Sequence, residues 1–486
     1  GVRSDGRPEC VRPSIEDFPA DFFTQEQRQQ GGVVIHFIIV IYLCGVLGYI
    51  CDDYFVPSLE IIAESLNVPS DVAGATFMAI GTSAPELFSS IIGSFITEGD
   101  IGLGTIVGSA VFNILGVTGL AGLAVWKNDV PIDWFPITRD CVMYAITVLA
   151  LIGVISNNIV EWYEALILII LFLAYIVVLF FNARIEYLAL VQVEVLRKKW
   201  FPGTVGPPLP KGVSRAIIEE ATPLLAGAAD EEAAQPDYSG GVRSRRGSAM
   251  SAGEERLRRD SVLVSESVCK LVEEEEQRSL WSMPSEGSAG QILWVLFWPA
   301  QFLLHFTVPD CRRPSLRKWF PLTFTLAVVW IGAVSYVAVW MVTIIGFTIG
   351  IPDSVAGITL LAAGTSIPEV FSSVIVARSG LGNMAICNLL GSNIFDVLFC
   401  LGVPWFFKAL FASSSHEVFI NSAAMTYTSV TLLTTVVLLF IIFALTRWKL
   451  NYKVGFACVF MYVIFIVLAC MYELNVFGEF NPPTCV

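Results

Sequence analysis

The sequence contains few charged residues. Asp, Glu, Lys and Arg make up 15% of its 486 residues, whereas 55% are hydrophobic. Several uncharged runs reach the roughly 20 residues that a helix needs to cross a bilayer. This composition excludes an ordinary soluble protein and indicates a polytopic membrane protein. The alternating short strands of a membrane barrel are also missing, so we predict an all-α protein.

Basic residues and paired cysteines are scarce as well. The chain has 29 Lys and Arg against 43 Asp and Glu, a net charge of -14, which argues against a nucleic-acid partner and is compatible with cation traffic. The eleven cysteines show no CxxC or metal-ligand spacing, and most lie in apolar runs as small core residues. Cys10 and Cys485 lie in polar tails, and a disulfide between them is a hypothesis that requires both tails to be extracytosolic. No signal-like apolar region precedes Val33, and we expect that an upstream signal peptide has been removed.

The apolar runs form two groups around a long polar segment. Five runs come first, at residues 33–50, 72–96, 101–126, 141–155 and 163–181. Six follow, at residues 292–306, 320–349, 355–377, 384–405, 425–445 and 454–472. If the N-terminus is outside and run 292–306 does not cross, the connecting Lys and Arg residues collect on the cytosolic side and only Lys408 remains outside. We therefore predict ten transmembrane helices, as two inverted five-helix repeats, plus one interfacial helix.

This topology gives six regions. They are an extracytosolic N-terminal segment (1–32), the first transmembrane repeat (33–182), a cytosolic, largely disordered regulatory loop (183–290), the interfacial helix with a basic connector (291–318), the second repeat (319–475) and an extracytosolic tail (476–486). The loop is predicted from its richness in Glu, Ser, Gly, Pro and Arg. In it, Ser248 and Ser261 each follow an arginine pair within three residues, so they are candidate phosphorylation sites for a basic-directed kinase.

Two motifs occur twice at a constant offset of 283 residues. Gly81-Thr82-Ser83-Ala84-Pro85-Glu86 returns as Gly364-Thr365-Ser366-Ile367-Pro368-Glu369. Gly108-Ser109-Ala110-Val111-Phe112-Asn113 returns as Gly391-Ser392-Asn393-Ile394-Phe395-Asp396. On the predicted topology the two copies cross the membrane in opposite directions. Such an inverted repeat predicts a transporter site built from broken helices near the bilayer midplane.

The first motif carries an acid into the membrane. A kink, in which Thr and Ser satisfy the carbonyls freed by proline, explains Pro85 and Pro368. It does not explain Glu86 and Glu369, because an intramembrane acid costs about 2.5–3.5 kcal/mol on insertion scales and indicates a functional site.

The oxygen atoms around these glutamates indicate a site for hard cations. No His or Cys accompanies the acids, and carboxylates, hydroxyls and carbonyls suit Ca²⁺ or Na⁺. Shared ligands would make the two ions exclude each other, which is exchange chemistry. We predict ligand carbonyls near four residues, namely Ala79, Thr82, Ala362 and Thr365. The pairs Ser109 with Asn113 and Ser392 with Asp396 are four residues apart and are expected to face the same cavity. For four glycines we predict close helix packing instead, at Gly104, Gly108, Gly382 and Gly391.

These motifs resemble the potassium-dependent sodium/calcium exchangers of the cation/calcium exchanger superfamily. The acidic loop between five-span halves and the segment Ile351-Pro352-Asp353-Ser354-Val355-Ala356-Gly357 add to the resemblance, which covers nearly all of the chain outside the loop. It implies Glu86 and Glu369 as central calcium ligands, with the carbonyls of Thr82 and Thr365 beside them. It implies that sodium shares the glutamates and uses Ser83, Ser109, Ser366, Ser392 and the carbonyls of Ala79 and Ala362. Asn113 and Asp396 would complete the centre, and the aspartate matching Asp396 is tied to potassium transport.

Two positions depart from this branch. Glu369 stands where these exchangers usually have Asp and matches the potassium-independent exchangers instead. Asn383 replaces another usual Asp near a repeat mouth. We therefore expect both positions to influence ion affinity and potassium coupling.

The sequence as a whole predicts a secondary antiporter, not an enzyme, that moves Ca²⁺ with the sodium gradient, together with K⁺. Inorganic cations and the lipid bilayer are the expected partners, and no cofactor is expected. A potassium-independent exchanger is the alternative, and a cation channel is a further one, which the inverted repeat disfavours. An intramembrane aspartyl protease would need a Gly-x-Gly-Asp phrase that the sequence lacks. We expect an integral multi-pass protein of the plasma membrane or, alternatively, of the Golgi or another secretory-pathway organelle.

Overall fold

A computed structural model describes the protein at residues 12–65, 79–97, 100–126, 129–181, 185, 189, 287–313, 316–412, 416–420 and 422–478. Cys10, Cys485, Ser248 and Ser261 lie outside these residues, so the disulfide and the phosphorylation sites stay predictions. The described residues fall almost entirely into one compact unit, Gly1–Val177 with Pro284–Val486. The remaining unit, Val178–Met283, lies mostly outside the description.

Within the described residues, nine α-helices precede the loop. The apolar runs form helices because each helix satisfies its own backbone polar groups. In the described part of the first half these are α1 (Gln25–Gln27), α2 (Val33–Ile50), α3 (Val56–Ser65), α4 (Ala79–Thr82), α5 (Ala84–Phe95), α6 (Ile101–Val111), α7 (Thr118–Ala124), α8 (Trp134–Ile155) and α9 (Trp162–Phe180). Short π-helical turns at Arg28–Gly32, Cys51–Phe55 and Phe112–Val117 join several of them, and a 3-10 turn lies at Ser14–Asp17.

The second half follows the same plan after one additional helix. Its described α-helices are α10 (Gly287–Thr307), α11 (Phe320–Ile349), α12 (Asp353–Ala356), α13 (Ala362–Thr365), α14 (Ile367–Arg378), α15 (Gly382–Phe395), α16 (Gly402–Phe407), α17 (Ala424–Leu445) and α18 (Tyr452–Glu473). A 3-10 turn lies at Arg317–Trp319, and π-helical turns lie at Gly357–Leu361, Asp396–Leu401 and Lys408–Ala412. Local sequence sets several ends. For example, Gly350 ends α11 in a left-handed conformation. The Asn451 side chain accepts hydrogen bonds from the backbone N–H groups of Lys453 and Val454 in the first turn of α18.

Within the described residues, eight continuous helical stretches are long and apolar enough to cross a membrane, or nine if the bent pair Asp353–Thr365 and Ile367–Arg378 is one span. Helix α10 is not among them. The run at 72–96 lies partly outside the description, which begins again at Ala79. An all-α, polytopic membrane protein is therefore confirmed. That ten helices cross the membrane and that α10 lies at the membrane interface stay predictions. The boundaries of the six regions given above also stay predictions.

The repeat offset is reproduced by the helix bounds. Helices α4 and α13 end at equivalent residues, and α5 and α14 begin and end at equivalent residues, all at the offset of 283 residues. The break between α4 and α5 therefore falls at the same place as the break between α13 and α14.

Two short strand pairs show that the repeats are inverted. Strand β1 (Val130–Pro131) precedes α8 and pairs antiparallel with β4 (Lys449–Leu450), which follows α17. Strand β2 (Ile159–Glu161) follows α8 and pairs with β3 (Glu417–Phe419), which precedes α17. The start of α8 thus lies by the end of α17, and the end of α8 lies by the start of α17. These helices occupy equivalent places in the two repeats and pack side by side in opposite directions.

The predicted close packing holds at three of the four glycines. A Cβ atom at Gly104 would lie 2.8 Å from the Ser354 carbonyl oxygen, and one at Gly108 would overlap the backbone of Ile358. At Gly382 it would lie 2.9 Å from a methyl group of Val130. At Gly391 the nearest atom is the Tyr175 hydroxyl at 3.4 Å, an ordinary contact. Close packing therefore does not require a glycine at position 391.

Candidate ion-binding site

Each Gly-Thr-Ser-x-Pro-Glu motif breaks a helix and starts another. Ser83 has φ -91° and ψ 11°, and Ser366 has φ -86° and ψ 11°, so both interrupt the helix at the same point. The proline that follows occupies the first turn of the next helix, where its missing N–H leaves no bond unmade. Glu86 and Glu369 also lie in these first turns. The helix N-terminus favours a negative charge there by about 0.3–1 kcal/mol.

The structure buries the predicted ion-binding side chains together in the interior. Exposure is between 0% and 7% at Thr82, Ser83, Glu86, Ser109, Asn113, Ala362, Thr365, Ser366, Glu369, Ser392 and Asp396. Ala79, the remaining predicted site residue, begins α4. The set includes three carboxylates with 0% exposure. Burial of this many carboxylates requires compensation of several kcal/mol per charge.

Contacts between the repeats bring these residues to one site. The Ser366 hydroxyl donates to Glu86 Oε1 at 3.4 Å, and the Thr365 hydroxyl lies beside the same carboxylate. The thiol of Cys400 lies 3.8 Å from Asp396 Oδ1 and 4.0 Å from the Ser83 carbonyl oxygen. Each break therefore faces an acid that belongs to the other repeat.

The three carboxylates repel one another. The charged groups that act on Glu369 are Glu86, Asp396 and Asp52, all acidic. Among the described residues, six buried oxygens of the predicted site residues have no hydrogen-bond partner, namely Ser83 Oγ, Glu86 Oε2, Asn113 Oδ1, both carboxylate oxygens of Glu369 and Asp396 Oδ2. Buried acceptors without partners are rare because each costs about 1–3 kcal/mol or more. A bound cation would satisfy these oxygens and offset the repulsion.

The second motif places Asn113 and Asp396 on π-helical turns. These turns, Phe112–Val117 and Asp396–Leu401, follow α6 and α15 at nearly equivalent positions. Single π-helical turns occur frequently at functional sites. Within the helices, the hydroxyls of Ser109 and Ser392 each donate to a backbone carbonyl three residues earlier, at 3.1 Å. Their oxygens keep lone pairs for a cation.

The Ala362 carbonyl, one of the four predicted ligand carbonyls, already accepts two hydrogen bonds. The Ala362 carbonyl accepts from the Ser366 backbone N–H at 3.3 Å and from the Thr365 hydroxyl at 3.4 Å. Its role as a sodium ligand stays a prediction, as do the other individual ligand assignments. Among the described residues, no three His, Cys, Asp or Glu side chains converge as the ligands of a single metal ion.

Three residues of the site were not predicted as functional from the sequence. Asn393 accepts from the Asn113 side-chain amide at 3.2 Å and donates to the Ala110 carbonyl at 3.4 Å. Cys400 lies by Asp396 as described, and the Tyr144 hydroxyl is buried without a hydrogen-bond partner near the same carboxylate. Asn393 aligns with Ala110, so a difference between the two copies was the available signal. Tyr144 comes from outside the motifs and had no signal in the sequence.

Asn383 lies in a contact of a different kind. Its side-chain oxygen accepts from the Asp133 backbone N–H at 2.6 Å, and its amide donates to the Asp133 carboxylate. This exposed contact joins the residues after β1 to the start of α15. An aspartate at this position would face the charge of Asp133. The structure thus supplies a local packing reason for Asn383.

The chain is similar to known proteins over most of its length. The chain matches the sodium/calcium exchanger protein family over residues 36–181 and 319–471. It is 40% identical to sodium/potassium/calcium exchanger 5 of Homo sapiens over 97% of this chain and 90% of that protein. It is 37% identical to sodium/potassium/calcium exchanger 3 of Homo sapiens over 98% of this chain and 86% of that protein. A solved structure of the sodium-calcium exchanger NCX_Mj is 20% identical with a TM-score of 0.42, covering 89% of this chain and 98% of that chain. The chain therefore belongs to the sodium/calcium exchanger protein family.

Proposed function

We propose that the protein is a secondary antiporter that exchanges Na⁺ for Ca²⁺ together with K⁺, by alternating access. The observation that carries the proposal is the group of three buried carboxylates, Glu86, Glu369 and Asp396. Their charged neighbours are acidic, and four of their six oxygens have no hydrogen-bond partner among the described residues. The names of the relatives, sodium/potassium/calcium exchangers 5 and 3, agree with these three ions.

The charge of the site fits two transported ions better than one. Three ionised carboxylates carry three negative charges, and Ca²⁺ with K⁺ supplies three positive ones. Ca²⁺ alone would leave one buried carboxylate unneutralised, which is unfavourable by several kcal/mol. Competing Na⁺ ions would use the same oxygens, and this sharing couples the opposed ion movements.

The roles of single residues follow from their positions. Glu86 and Glu369 would hold Ca²⁺ and alternately Na⁺, with the oxygens of Thr82, Thr365 and the site serines as additional ligands. Asp396, with Asn113 and Asn393 beside it, would hold K⁺. The second copy's helix pair is bent by 47° at its break. Rocking of one helix group about these breaks would open the site to each side in turn.

Location and regulation are further parts of the proposal. We expect the plasma membrane or a secretory-pathway organelle, and a kinase that acts on Ser248 and Ser261. Microscopy of the tagged chain would test its membrane location. Phosphopeptide mass spectrometry of the loop would test the phosphorylation of both serines.

The deciding experiment is ⁴⁵Ca²⁺ flux into proteoliposomes that contain the purified full chain. The sodium gradient is imposed, reversed and abolished, each with and without K⁺ on the calcium side. We expect the direction of calcium flux to reverse with the sodium gradient and the flux to require K⁺. Reversal without a potassium requirement would support a potassium-independent exchanger. Flux that ignores the sodium gradient and appears as single-channel current would support a channel and contradict the proposal.

A further inference from the structure

A cavity of about 390 Å³ lies between the segment before α2 and helix α11. Residues between Ile15 and Arg28 form most of its wall, and Ile344 of α11 completes it. Helix α11 has 30 residues, so it is about 45 Å long, which matches a bilayer together with its headgroups. Ile344 lies five residues before the last residue of this helix, about 7.5 Å along its axis. On the predicted topology this is the extracytosolic end, and the cavity therefore lies at the depth of the phospholipid headgroups.

Arg28 is a buried cation in the wall of this cavity. Its guanidinium carries five N–H donors, yet the residue is only 7% exposed. Its Nη1 lies 3.5 Å from Asp21 Oδ2, which is longer than a normal hydrogen bond. Among the described residues, neither its Nε nor the side-chain oxygen of Gln25 on the same wall has a hydrogen-bond partner. A buried arginine in this state favours an oxyanion in the cavity, because carboxylate and phosphate oxygens match the planar fork of a guanidinium.

The neighbouring carboxylate of Asp21 is occupied by other partners. Its Oδ2 faces His36 Nε2 at 3.0 Å, and its Oδ1 accepts the backbone N–H of Phe22 at 2.7 Å. Asp21 therefore does not saturate Arg28, but its negative charge stays close to the cavity, which it also lines. A simple anion would be attracted by Arg28 and repelled by Asp21. A zwitterion that carries a phosphate and a positive group would suit both charges.

Three phenylalanine rings line the same cavity, namely Phe18, Phe22 and Phe23. Two of them are held in place, since Phe18 packs against Tyr336 with ring centroids 5.4 Å apart and Phe23 packs against His36 at 5.9 Å. The third, Phe22, is 92% exposed. Aromatic rings attract quaternary ammonium groups, which need no hydrogen bonds. The cavity therefore combines a phosphate ligand with a surface for a choline group.

We propose that this cavity binds the phosphocholine headgroup of a phospholipid in the extracytosolic leaflet. The phosphate lies against Arg28, and the quaternary ammonium lies among the phenylalanine rings and near Asp21. Because the wall comes from the segment before α2 and from α11, a bound lipid fastens this segment to the transmembrane part. The inference goes beyond ion exchange, so its failure would leave the proposed function untouched.

The first test counts bound lipid by native mass spectrometry. The purified full chain in dodecyl maltoside is titrated with dihexanoyl phosphatidylcholine below its micelle concentration. We expect one molecule to bind, and we expect Arg28→Gln to raise the half-saturating concentration about tenfold through the loss of a charge-assisted hydrogen bond. The matched control is Arg12→Gln, since Arg12 is an exposed residue of the same segment that does not line the cavity. This control should remain within about twofold of the parent. Equal binding by the parent and both variants, or no binding by the parent, would overturn the site.

A second variant tests the aromatic wall without altering a buried residue. Phe22→Leu keeps an apolar side chain but removes the ring, and it should weaken the binding of dihexanoyl phosphatidylcholine about threefold. Phe347→Leu, at a partly exposed phenylalanine of α11 that does not line the cavity, should leave binding unchanged. Equal effects of the two changes would contradict a role of the rings. This pair also decides the question if Arg28→Gln fails to fold.

Competition between headgroups tests the chemistry of the ligand. Dihexanoyl phosphatidylglycerol has the phosphate without the ammonium, and it should bind about threefold more weakly than dihexanoyl phosphatidylcholine. Millimolar inorganic phosphate should not displace the bound lipid. Equal binding of the two lipids would contradict the choline assignment. Displacement by inorganic phosphate would show a site for free oxyanions and would overturn the lipid assignment.

Discussion

Helices α5 and α14 begin with the same break and carry their glutamates at the same position, yet the two carboxylates have different neighbours. Glu86 accepts from the Ser366 hydroxyl of the opposite repeat, whereas both oxygens of Glu369 lack a protein partner. Ser83, which corresponds to Ser366, instead lies beside Asp396. An inverted repeat can therefore keep its backbone symmetry and divide its polar contacts unequally. The asymmetry follows the one acidic difference between the motifs, Asp396 against Asn113.

The largest expected effect comes from removing either glutamate charge. Glu86→Gln and Glu369→Gln should each lower calcium affinity by about 2–5 kcal/mol, roughly 30- to 5,000-fold, because a desolvated charge partner is lost. Isothermal titration of the purified variants with Ca²⁺ measures this effect, and gel filtration checks that they fold. If one variant bound Ca²⁺ like the parent, the corresponding repeat would not contribute its acid to the site.

The asymmetric pair should control potassium more than calcium. Asp396→Asn is expected to raise the half-saturating K⁺ concentration about tenfold, or about 1.4 kcal/mol, because it removes the third negative charge. Half-saturation by Ca²⁺ should change by less than about twofold. Potassium-dependent calcium flux measures both values.

Moving the third carboxylate from the second repeat to the first tests whether its position matters for potassium coupling. Asn113→Asp added to Asp396→Asn restores three carboxylates but removes the amide that donates to Asn393 at 3.2 Å. We therefore expect the half-saturating K⁺ concentration of the double variant to remain above that of the parent. Full recovery would mean that charge number, and not its position, sets potassium coupling.

A further comparison concerns stability and uses two equivalent glycines, Gly108 and Gly391. A Cβ atom at Gly108 would overlap the Ile358 backbone and lie 2.8 Å from the Ala362 Cβ. Gly108→Ala should therefore destabilise the protein by about 1–3 kcal/mol through overpacking. Gly391→Ala meets only an ordinary contact at 3.4 Å and should be neutral or slightly stabilising. Thermal midpoints in detergent test this order, and equal losses would remove the packing difference between the repeats.

Much of the fold could be predicted because membrane insertion leaves strong marks in a sequence. Long apolar runs, the offset of 283 residues and the positions of proline gave the helical class, the repeat and the breaks at Ser83 and Ser366. The burial of the predicted site residues likewise follows from polar groups placed inside such runs. The extent of the helices was harder to predict, since the first helical stretch begins at Gln25 and continues through two π-helical turns into α3.

The parts that escaped prediction depend on contacts between distant residues. Asn393 and Tyr144 reach the site through helix packing, which no local pattern encodes. The contact of Asn383 with Asp133 was likewise not predicted, and the expected influence of Asn383 on potassium coupling stays a prediction. The two strand pairs are only two and three residues long, too short to have a sequence signature.

These strand pairs have a mechanical consequence. On the predicted topology, β1 with β4 lies at the cytosolic face and β2 with β3 lies at the opposite face, so α8 and α17 are fastened together at both ends. A hinge motion that separated these two helices would have to break backbone hydrogen bonds on at least one face. The α8–α17 pair is therefore suited to stay together as one rigid unit, to which the start of α15 is also attached by the contact between Asn383 and Asp133.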